Sequence, residues 1–465
     1  MGSISVERKL LIDHINTLLS GGAAIAARRL HQGLLQAGVD SRLWYDADEC
    51  LPQNSSVDLG LGMHPAPWPL PDASFGAQAN RLAHQYLKQF RLRLSRSYYR
   101  RGRRRRFGGF IGVRQAMQTP CDPRIFDGDI IHFHWVGKLI DFPSFFQSMP
   151  KRLPLVWSLH DMNPMTGGCS HAGDCDGFTR ACGDCPILAR SGPRDLSFQE
   201  LAIKHAALRD RRVFVIAPSH WMAALARKSS LFSQCPIKVI RNPIDTTSFY
   251  PENKRLARKS LGLPDAGTCL LYAAESVEAK GKGINEYLAV LRELSKTRAV
   301  FGLVFGRGEI VSHIDNVPIY NLGYLASATK MRMAYSAADV FVIPSHAETI
   351  SQTTVEAFAC CTPAVAFDVG GLPELVQNGE TGFLSRFLDV GHMAERIDWL
   401  IDHPESRLEM GAKALEFVRQ EFESKSQISR YIEFYSEILG SVHKDASESA
   451  MRTTIRFQAE GDQGR

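Results

Sequence analysis

The sequence predicts an α/β protein built from two doubly wound units. The first observation is near the N-terminus, where the apolar runs Leu10–Ile15 and Val39–Tyr45 flank a helical pattern. The second is in the other half of the chain, where Val340–Ile343 and Ala364–Phe367 flank another helix. Short β-branched apolar runs that alternate with helices are typical of buried parallel strands. The third is the length of 465 residues, which suits at least two domains.

Composition narrows the class of protein. The chain contains no apolar run of the ~20 residues that would span a bilayer. The N-terminus lacks an apolar segment like that of a signal peptide, so we expect a cytoplasmic protein. Ten cysteines are compatible with that expectation, and a net charge of +6 is modest.

In the first unit, Gly21 and Gly22 follow the first strand and precede a helical pattern that ends at Gly38. Glycines at the first turn of a βαβ unit allow the backbone to approach a ligand closely. A lone Gly-Gly pair is also common in ordinary helix entry loops.

Two glutamates mark the corresponding junction of the second unit. Glu348 lies in the polar loop after the strand, and Glu356 lies in a helix that Ser351 or Thr353 can cap. Free amides at a helix N-terminus bind phosphate, and carboxylates accept hydrogen bonds from ribose and sugar hydroxyls. One glutamate would be an ordinary helix start. Two of them across this junction favour a nucleotide-sugar site.

This stretch resembles family 4 glycosyltransferases. Glu348 and Glu356 match the E-x7-E signature of that family, preceded by Ala-Ala-Asp-Val-Phe-Val-Ile-Pro-Ser and followed by Gly-Gly-Leu-Pro-Glu-Leu-Val and Asn-Gly-Glu-Thr-Gly-Phe-Leu. The resemblance implies a GT-B fold, with two Rossmann-like domains facing across a cleft and a C-terminal helix that crosses back. It also implies sugar transfer from a nucleotide-diphosphate donor with retention of configuration and without a catalytic metal.

The resemblance assigns roles residue by residue. It gives Glu348, His160 and Lys282 to catalysis, and Glu356 to the ribose. The residues assigned to donor binding are Gly21, Gly22, Lys282, Thr349, Ile350, Ser351 and Glu356, and Arg307 is added because of its position at a strand end. His134 and Asp161 are assigned to the acceptor side, and no general base is named.

The diphosphate site departs from the family pattern at one position. Lys282, in Gly-Lys-Gly, matches the family lysine that neutralises the leaving diphosphate. The arginine expected six residues earlier is Ser276. Arg307, which follows the next strand, is a candidate replacement, and an exposed loop arginine is an equal alternative.

Three histidines lie at or near strand ends of the first unit. His132 and His134 alternate on the strand in Asp129–Trp135, and His160 follows the strand at Leu155–Leu159. We interpret His132 as a core histidine whose nitrogens are satisfied. His134 and His160 are nearer the cleft, where a neutral imidazole can hydrogen-bond a sugar hydroxyl and Asp161 can orient it.

Four cysteines occur within seventeen residues, with a single C-x2-C pair. They are Cys169, Cys175, Cys182 and Cys185. A structural zinc ion is one interpretation, and disulfides or free thiols are the others. The surrounding Leu-His-Asp-Met, Thr-Gly-Gly-Cys and Gly-Asp-Cys segments resemble glycosyltransferases of colanic-acid and exopolysaccharide biosynthesis.

The run Arg91–Arg106 holds nine arginines and no acidic residue. It is compatible with a solvated helix face, with nucleic-acid binding, or with an anionic membrane surface. We favour the membrane surface because many acceptors of the family are lipid-linked.

We predict the domain boundaries as follows. An acceptor-side domain covers residues 1–245, with inserts at 50–110 and the cysteine-rich loop at 165–188. A nucleotide-sugar domain covers 246–425, a crossover helix 426–441 and a disordered tail 442–465.

The predicted function is transfer of a sugar to a saccharide or lipid-linked acceptor in surface or exopolysaccharide biosynthesis, at the inner face of the membrane. One alternative is a GT-B nucleotide-sugar epimerase, which would isomerise its donor without an acceptor. Another is a non-catalytic nucleic-acid-binding protein that uses the arginine run.

Overall fold

The computed structural model describes residues 9–46, 63–65, 110–113 and 123–442. The arginine run Arg91–Arg106 and the predicted tail beyond Val442 lie outside the described residues. No helix within the described ranges is long and apolar enough to cross a membrane.

The first sheet has seven parallel strands in the order β3-β2-β1-β4-β5-β6-β7. Its strands are β1 (Leu11–Ile15), β2 (Asp40–Tyr45), β3 (Met63–Pro65), β4 (Ile130–Phe133), β5 (Leu155–Ser158), β6 (Val213–Ala217) and β7 (Ile237–Val239). Its helices are α1 (Gly22–Gln36), α2 (Phe142–Ser148), α3 (Leu196–Leu208) and α4 (His220–Lys228).

The second sheet also has seven strands, in the order β10-β11-β9-β8-β12-β13-β14, and only the β10–β11 pair is antiparallel. Its strands are β8 (Thr268–Ser276), β9 (Val300–Arg307), β10 (His313–Ile314), β11 (Val317–Asn321), β12 (Val340–Ile343), β13 (Ala364–Phe367) and β14 (Gly382–Ser385). The helices that follow residue 250 are α5 (Lys254–Ser260), α6 (Ile284–Leu294), α7 (Ala328–Ala337), α8 (Gln352–Ala359), α9 (Val390–Asp402), α10 (Pro404–Glu421) and α11 (424–442).

Burial on both faces explains why the strands are almost wholly apolar. All residues of β12 and β13 are buried, as are those of β4 and β5. Helices on both sides of each sheet cover the strands, as expected for parallel sheets. The fold class predicted from the sequence is therefore confirmed.

One short strand lies within the predicted insert at residues 50–110. Met63–Pro65 pairs with β2 at the edge of the first sheet. A three-residue edge strand is too short to carry a periodic pattern, which is why the sequence does not reveal it.

The last helix crosses back to the first domain, as predicted. The side of α11 that carries Tyr431, Phe434 and Tyr435 is buried against a core that includes Leu30 and Ile130. A Cβ on Gly33 would lie 2.5 Å from the side chain of Ile428, so glycine allows the close approach of α1 and α11.

A second contact joins the domains near the linker. The Glu374 carboxylate accepts hydrogen bonds from the backbone N–H groups of His220 and Trp221, at 2.9 and 2.7 Å. It also pairs with Arg241 at 2.8 Å. A carboxylate at the N-terminus of α4 is favoured by the helix dipole.

Candidate active site

The order of strands places a candidate site at one edge of each sheet. The direction in which strands are added reverses between β1 and β4 in the first sheet and between β8 and β12 in the second. Ligands of open α/β sheets bind outside the carboxyl ends of the strands at such reversals. Gly21 follows β1, His134 follows β4, Lys282 follows β8 and Glu348 follows β12. The predicted residues therefore lie at the two positions where the topology predicts a ligand.

Lys282 and Glu348 form an ion pair at the edge of the second sheet. Nζ of Lys282 lies 2.5 Å from Oε1 of Glu348, and the lysine side chain is 39% exposed against 11% for the glutamate. The backbone N–H of His346 donates to the carbonyl of Gly281 at 2.9 Å, which ties the two loops together. Gly283 has φ +78°, and a Cβ there would lie 1.9 Å from the carbonyl oxygen of Pro344. The lysine loop can approach the glutamate loop only because that residue is glycine.

Two glycines, Gly370 and Gly371, pack closely against the loop between Glu348 and α8. Gly371 donates its N–H to the carbonyl of Glu348 at 2.9 Å. A Cβ on Gly370 or Gly371 would lie about 2 Å from the carbonyl of Glu348 or of Thr349 (2.1 and 2.0 Å). Ser351 caps α8 by accepting a hydrogen bond from the N–H of Thr354, as the sequence suggested.

Several polar atoms around the start of α8 have no hydrogen-bond partner among the described residues. They are Oγ1 of Thr349, Nε2 of Gln352 and Oγ1 of Thr354. Thr349, Ile350 and Ser351 are all buried. Buried polar atoms are usually hydrogen-bonded, so unpaired ones beside a helix N-terminus suit an oxygen-rich ligand.

Glu356 is engaged by both domains. Its Oε1 lies 2.6 Å from a guanidinium nitrogen of Arg29 in α1, and its Oε2 accepts a hydrogen bond from the Tyr335 hydroxyl at 2.9 Å. The carboxylate is nearly inaccessible, with 1% of its side chain exposed. Sequence reasoning missed Arg29, because its partner lies in the other domain. The assignment of Glu356 to the ribose stays a prediction.

The structure places Arg307 directly beside the departure at Ser276, because the two residues are paired between β8 and β9. The guanidinium of Arg307 lies 3.1 Å from Glu275 and stacks 3.9 Å from the centre of the Tyr324 ring. Arg28 of α1 is within electrostatic range of the same Glu275 and Tyr324. Its Nε is buried and has no partner among the described residues, and burial lowers the pKa of its guanidinium. Arg28 is thus a second cation that sequence reasoning missed.

The two glycines after β1 leave space in front of them. Gly21 has φ +87° and is the residue before α1, and Gly22 is its first residue. No heavy atom lies within 4 Å of the position that a Cβ would take on either glycine. This space would accommodate the close approach of a ligand that the sequence predicts.

Four histidines form a row at the edge of the first sheet, and three of them, His14, His132 and His134, are buried. Nδ1 of His14 lies 3.1 Å from Nε2 of His134, and Nδ1 of His134 lies 2.9 Å from Nε2 of His160. Both nitrogens of His132 have partners, the Tyr435 hydroxyl at 2.7 Å and the Ser158 hydroxyl at 2.8 Å. His132 is therefore a satisfied core residue, as interpreted from the sequence.

Burial keeps these imidazoles neutral. It lowers the pKa of His14, His132 and His134 well below the usual value, and neighbouring histidines lower it further. Burial lowers the pKa of His160 to about 4. His14 was not singled out from the sequence because it lies within an apolar run.

The structure gives Asp161 partners other than His160. Its carboxylate accepts hydrogen bonds from Nε1 of Trp135 at 3.1 Å and from the backbone N–H of Asn163 at 2.8 Å. Burial raises the pKa of Asp161, although these hydrogen bonds oppose the shift. His160 is oriented by His134 instead, so the orienting role that we expected of Asp161 is corrected.

His171 connects the cysteine-rich loop to the cleft. Burial lowers the pKa of its imidazole, whereas the charges of Asp161 and Glu348 raise it. Lys282 is also near enough to affect it. His171 belongs to the first domain, whereas Glu348 and Lys282 belong to the second. The edges of the two sheets therefore lie near each other at this point. His171 was not among the site residues predicted from the sequence.

The four cysteines of the loop border one small cavity. Its lining also includes Phe110 and Phe178, and the cysteines are free thiols. Burial raises the pKa of the Cys169 thiol to about 12 and that of Cys182 to about 11. In the described part of the chain, the three donor atoms that lie within 4.8 Å of one another belong to His14, His132 and His134, not to the cysteines.

Comparison with known proteins finds a family model that matches the second domain. Residues 253–417, which cover most of the second domain, match the family model described as "Glycosyl transferases group 1". D-inositol 3-phosphate glycosyltransferase of Mycobacterium leprae (strain Br4923) is 34% identical over 190 residues. The match covers 38% of this chain and 42% of that relative, so it spans less than half of the length of either protein.

Solved structures match over almost the whole chain. Sucrose-phosphate synthase from Thermosynechococcus elongatus has a TM-score of 0.64 and 18% identity, covering 93% of this chain and all of the other (100%). Anabaena Alr3699/HepE in complex with UDP and glucose has a TM-score of 0.61 and 16% identity, covering 92% and 100%. At these identities the likeness concerns the fold, and the fold is GT-B.

Proposed function

We propose that the protein transfers a sugar from a nucleotide-diphosphate sugar to a hydroxyl group of an acceptor. The observation that carries this proposal is the Lys282–Glu348 pair at the carboxyl ends of β8 and β12, within the region that matches group 1 glycosyltransferases. An exposed ammonium group beside a helix N-terminus suits a diphosphate, and a carboxylate beside it suits sugar hydroxyls.

The proposed mechanism is electrostatic. Lys282 neutralises the charge that develops on the leaving diphosphate, with α8 directing its N-terminus to the same group. Glu348 and His160 orient the sugar from opposite sides of the cleft, and Glu356 holds the ribose. The acceptor attacks from the first domain. We propose retention of configuration, with the leaving phosphate accepting the proton, and no catalytic metal ion.

Arg29 and Arg28 add a role for the first domain. Arg29 binds the carboxylate of Glu356, which we assign to the ribose. When the donor enters, the carboxylate would exchange its contact with Arg29 for hydrogen bonds from the ribose hydroxyls. Arg28 and Arg307 both lie near Glu275, beside Ser276. We propose that they supply the positive charge that the family arginine would provide.

The acceptor and the setting are finer proposals. The cysteine-rich loop resembles those of exopolysaccharide glycosyltransferases, so we propose a saccharide or lipid-linked acceptor in surface polysaccharide biosynthesis. The run Arg91–Arg106 would attach the protein peripherally to an anionic membrane surface. Binding to vesicles with and without anionic lipid tests this part of the proposal separately.

A structural zinc ion in the cysteine-rich loop remains a separate proposal. The cavity that the four cysteines border supports it. Elemental analysis of the purified protein tests whether a zinc ion is bound. One zinc per chain would support the ion, and its absence from a fully active protein would reject it.

The activity is tested by incubating the protein with UDP-, GDP- and ADP-sugars and measuring nucleoside diphosphate release. D-inositol 3-phosphate, the acceptor in the name of the M. leprae relative, and short oligosaccharides serve as acceptors. We expect release that depends on acceptor and a product with the donor's anomeric configuration. Conversion of the donor into an isomer without acceptor would indicate an epimerase and contradict the proposal.

A further inference from the structure

The row of histidines determines on which nitrogen His160 carries its proton. His14, His134 and His160 are joined by two nitrogen–nitrogen hydrogen bonds of 3.1 and 2.9 Å. Each of these bonds requires one N–H donor and one bare nitrogen. Because neutral imidazole has only one N–H group, both hydrogen bonds must run in the same direction along the row.

The end of the row at His14 selects that direction. Nε2 of His14 is buried and has no hydrogen-bond partner among the described residues. If the bonds ran from His160 towards His14, this nitrogen would carry a buried N–H without an acceptor. Orphaned buried N–H groups are rare, and an unfilled lone pair is tolerated better. The favoured direction therefore runs from Nδ1–H of His14 to His134, and from Nδ1–H of His134 to Nε2 of His160.

The geometry does not suit the alternative of a metal site at the same residues. The rings of His132 and His134 stack at 4.4 Å with an angle of 23° between their planes. Stacked rings direct their lone pairs side by side, whereas metal ligands converge on one point. Both nitrogens of His132 are also occupied by Tyr435 and Ser158.

We propose that His14 and His134 are positioning residues that hold His160 in its Nδ1–H form, so that His160 acts on the donor sugar as a hydrogen-bond donor and not as a base. The inference rests on the proposed function for its substrate. Nε2 of His160 is occupied by His134, which leaves Nδ1 for the ligand. Burial, which lowers the pKa of all three imidazoles, keeps the row neutral and so preserves its direction.

Nitrogen NMR of the full chain labelled with ¹⁵N-histidine tests the proton position directly. The His160 signals are assigned by their loss in the His160→Gln variant. We expect Nδ1 of His160 to be protonated and Nε2 to be bare. In the His14→Leu variant, the Nε2–H form of His160 should become populated. A protonated Nε2 in the unmodified protein would overturn the inference.

Kinetics separate positioning from a structural effect. His14→Leu should lower kcat roughly tenfold, the effect of about one hydrogen bond, with little change in donor KM. His14→Asn, which offers an N–H group near the position of Nδ1, should restore most of the rate. His31→Leu is the matched control, because His31 is buried in the same region but hydrogen-bonds Ser41 outside the row.

The outcomes distinguish this inference from the proposed function. An equal fall in kcat for His14→Leu and His31→Leu, or failure of His14→Asn to rescue, would overturn the positioning role. NMR needs no substrate, so the expected proton position in a protein without transferase activity would reject the function alone. Transfer activity with the opposite proton position would reject this inference alone.

Discussion

The two sheet edges that face the cleft are built from different chemistry. The second-domain edge carries charged side chains in ion pairs, Lys282 with Glu348 and Glu356 with Arg29. The first-domain edge carries neutral imidazoles, because burial lowers the pKa of His134 and His160. Fixed charges suit a diphosphate, and neutral hydrogen bonds of set direction suit sugar hydroxyls. The difference supports our proposal that the second domain binds the leaving group and that both domains position the sugar.

Removing the charge at the second edge should have the largest effect. Lys282→Ala is expected to lower kcat/KM for transfer roughly 10²- to 10³-fold, because the developing charge on the leaving group loses its neutralising partner. Initial rates at saturating acceptor measure the loss. Lys280→Ala is the control, since Lys280 is exposed in the same turn. Equal activity of the two variants would contradict the assignment.

The two carboxylates that bridge the domains allow a matched comparison. Glu356→Gln should raise the donor KM roughly tenfold or more, because a charged hydrogen-bond acceptor of the ribose is lost. Glu374→Gln removes an equivalent bridge, to Arg241, away from the proposed donor site. Both variants should lower Tm, and only the first should change donor KM. A similar KM for both would mean that Glu356 is only a contact between domains.

The neutral edge should make the first domain sensitive to acid. Histidines with a lowered native pKa take up protons more readily when unfolded, so stability falls as pH drops through their unfolded value of ~6.5. We expect a loss of about 1 kcal/mol for each of His14, His132 and His134 between about pH 7.5 and about pH 5.5.

Urea unfolding followed by tryptophan fluorescence measures this loss, since Trp44 and Trp157 are buried in the first domain. His14→Leu should reduce the pH dependence although it also lowers stability at neutral pH. An unfolding free energy that stays constant over this range would show that the row is not neutral in the native protein.

The smallest expected effect is at the glycines after β1. Gly22→Ala should leave Tm unchanged or slightly raised, because alanine favours helices and no heavy atom lies within 4 Å of its Cβ. If a donor approaches this turn, the methyl group should still lower kcat/KM several-fold. Gly38→Ala controls for strain, since Gly38 has φ +82° and lies at the other end of the helix. Normal kinetics for Gly22→Ala would place the donor elsewhere.

The sequence predicted the features whose signals are local. The strands Val340–Ile343 and Ala364–Phe367 have the predicted bounds, because apolar runs that end at turn residues define them. The Ser351 cap and the loop with Glu348 follow from the same short stretch. Tyr431 and Tyr435 are four residues apart on one side of the predicted crossover helix, and both are buried.

The partners of these residues could not be predicted, because they depend on strand order and domain contacts. His14 and His132 are directly paired between β1 and β4, which no local pattern reveals. Histidines at matching positions of two apolar strands are a usable signal once the sheet order is known. The Arg29–Glu356 pair joins residues that are 327 positions apart. The hydrogen bond between Trp135 and Asp161 also depends on how separate loops pack, so it could not be predicted either.

The most direct test of the central claim is donor binding at the charged edge. Thermal unfolding is measured with UDP, GDP, ADP and their common sugar conjugates, for the unmodified protein and for Lys282→Ala. We predict a selective rise in Tm with one nucleoside diphosphate and its sugar conjugates, and loss of that rise in the variant. No rise with any of these compounds, or an equal rise in both proteins, would contradict the assignment of Lys282 to the diphosphate.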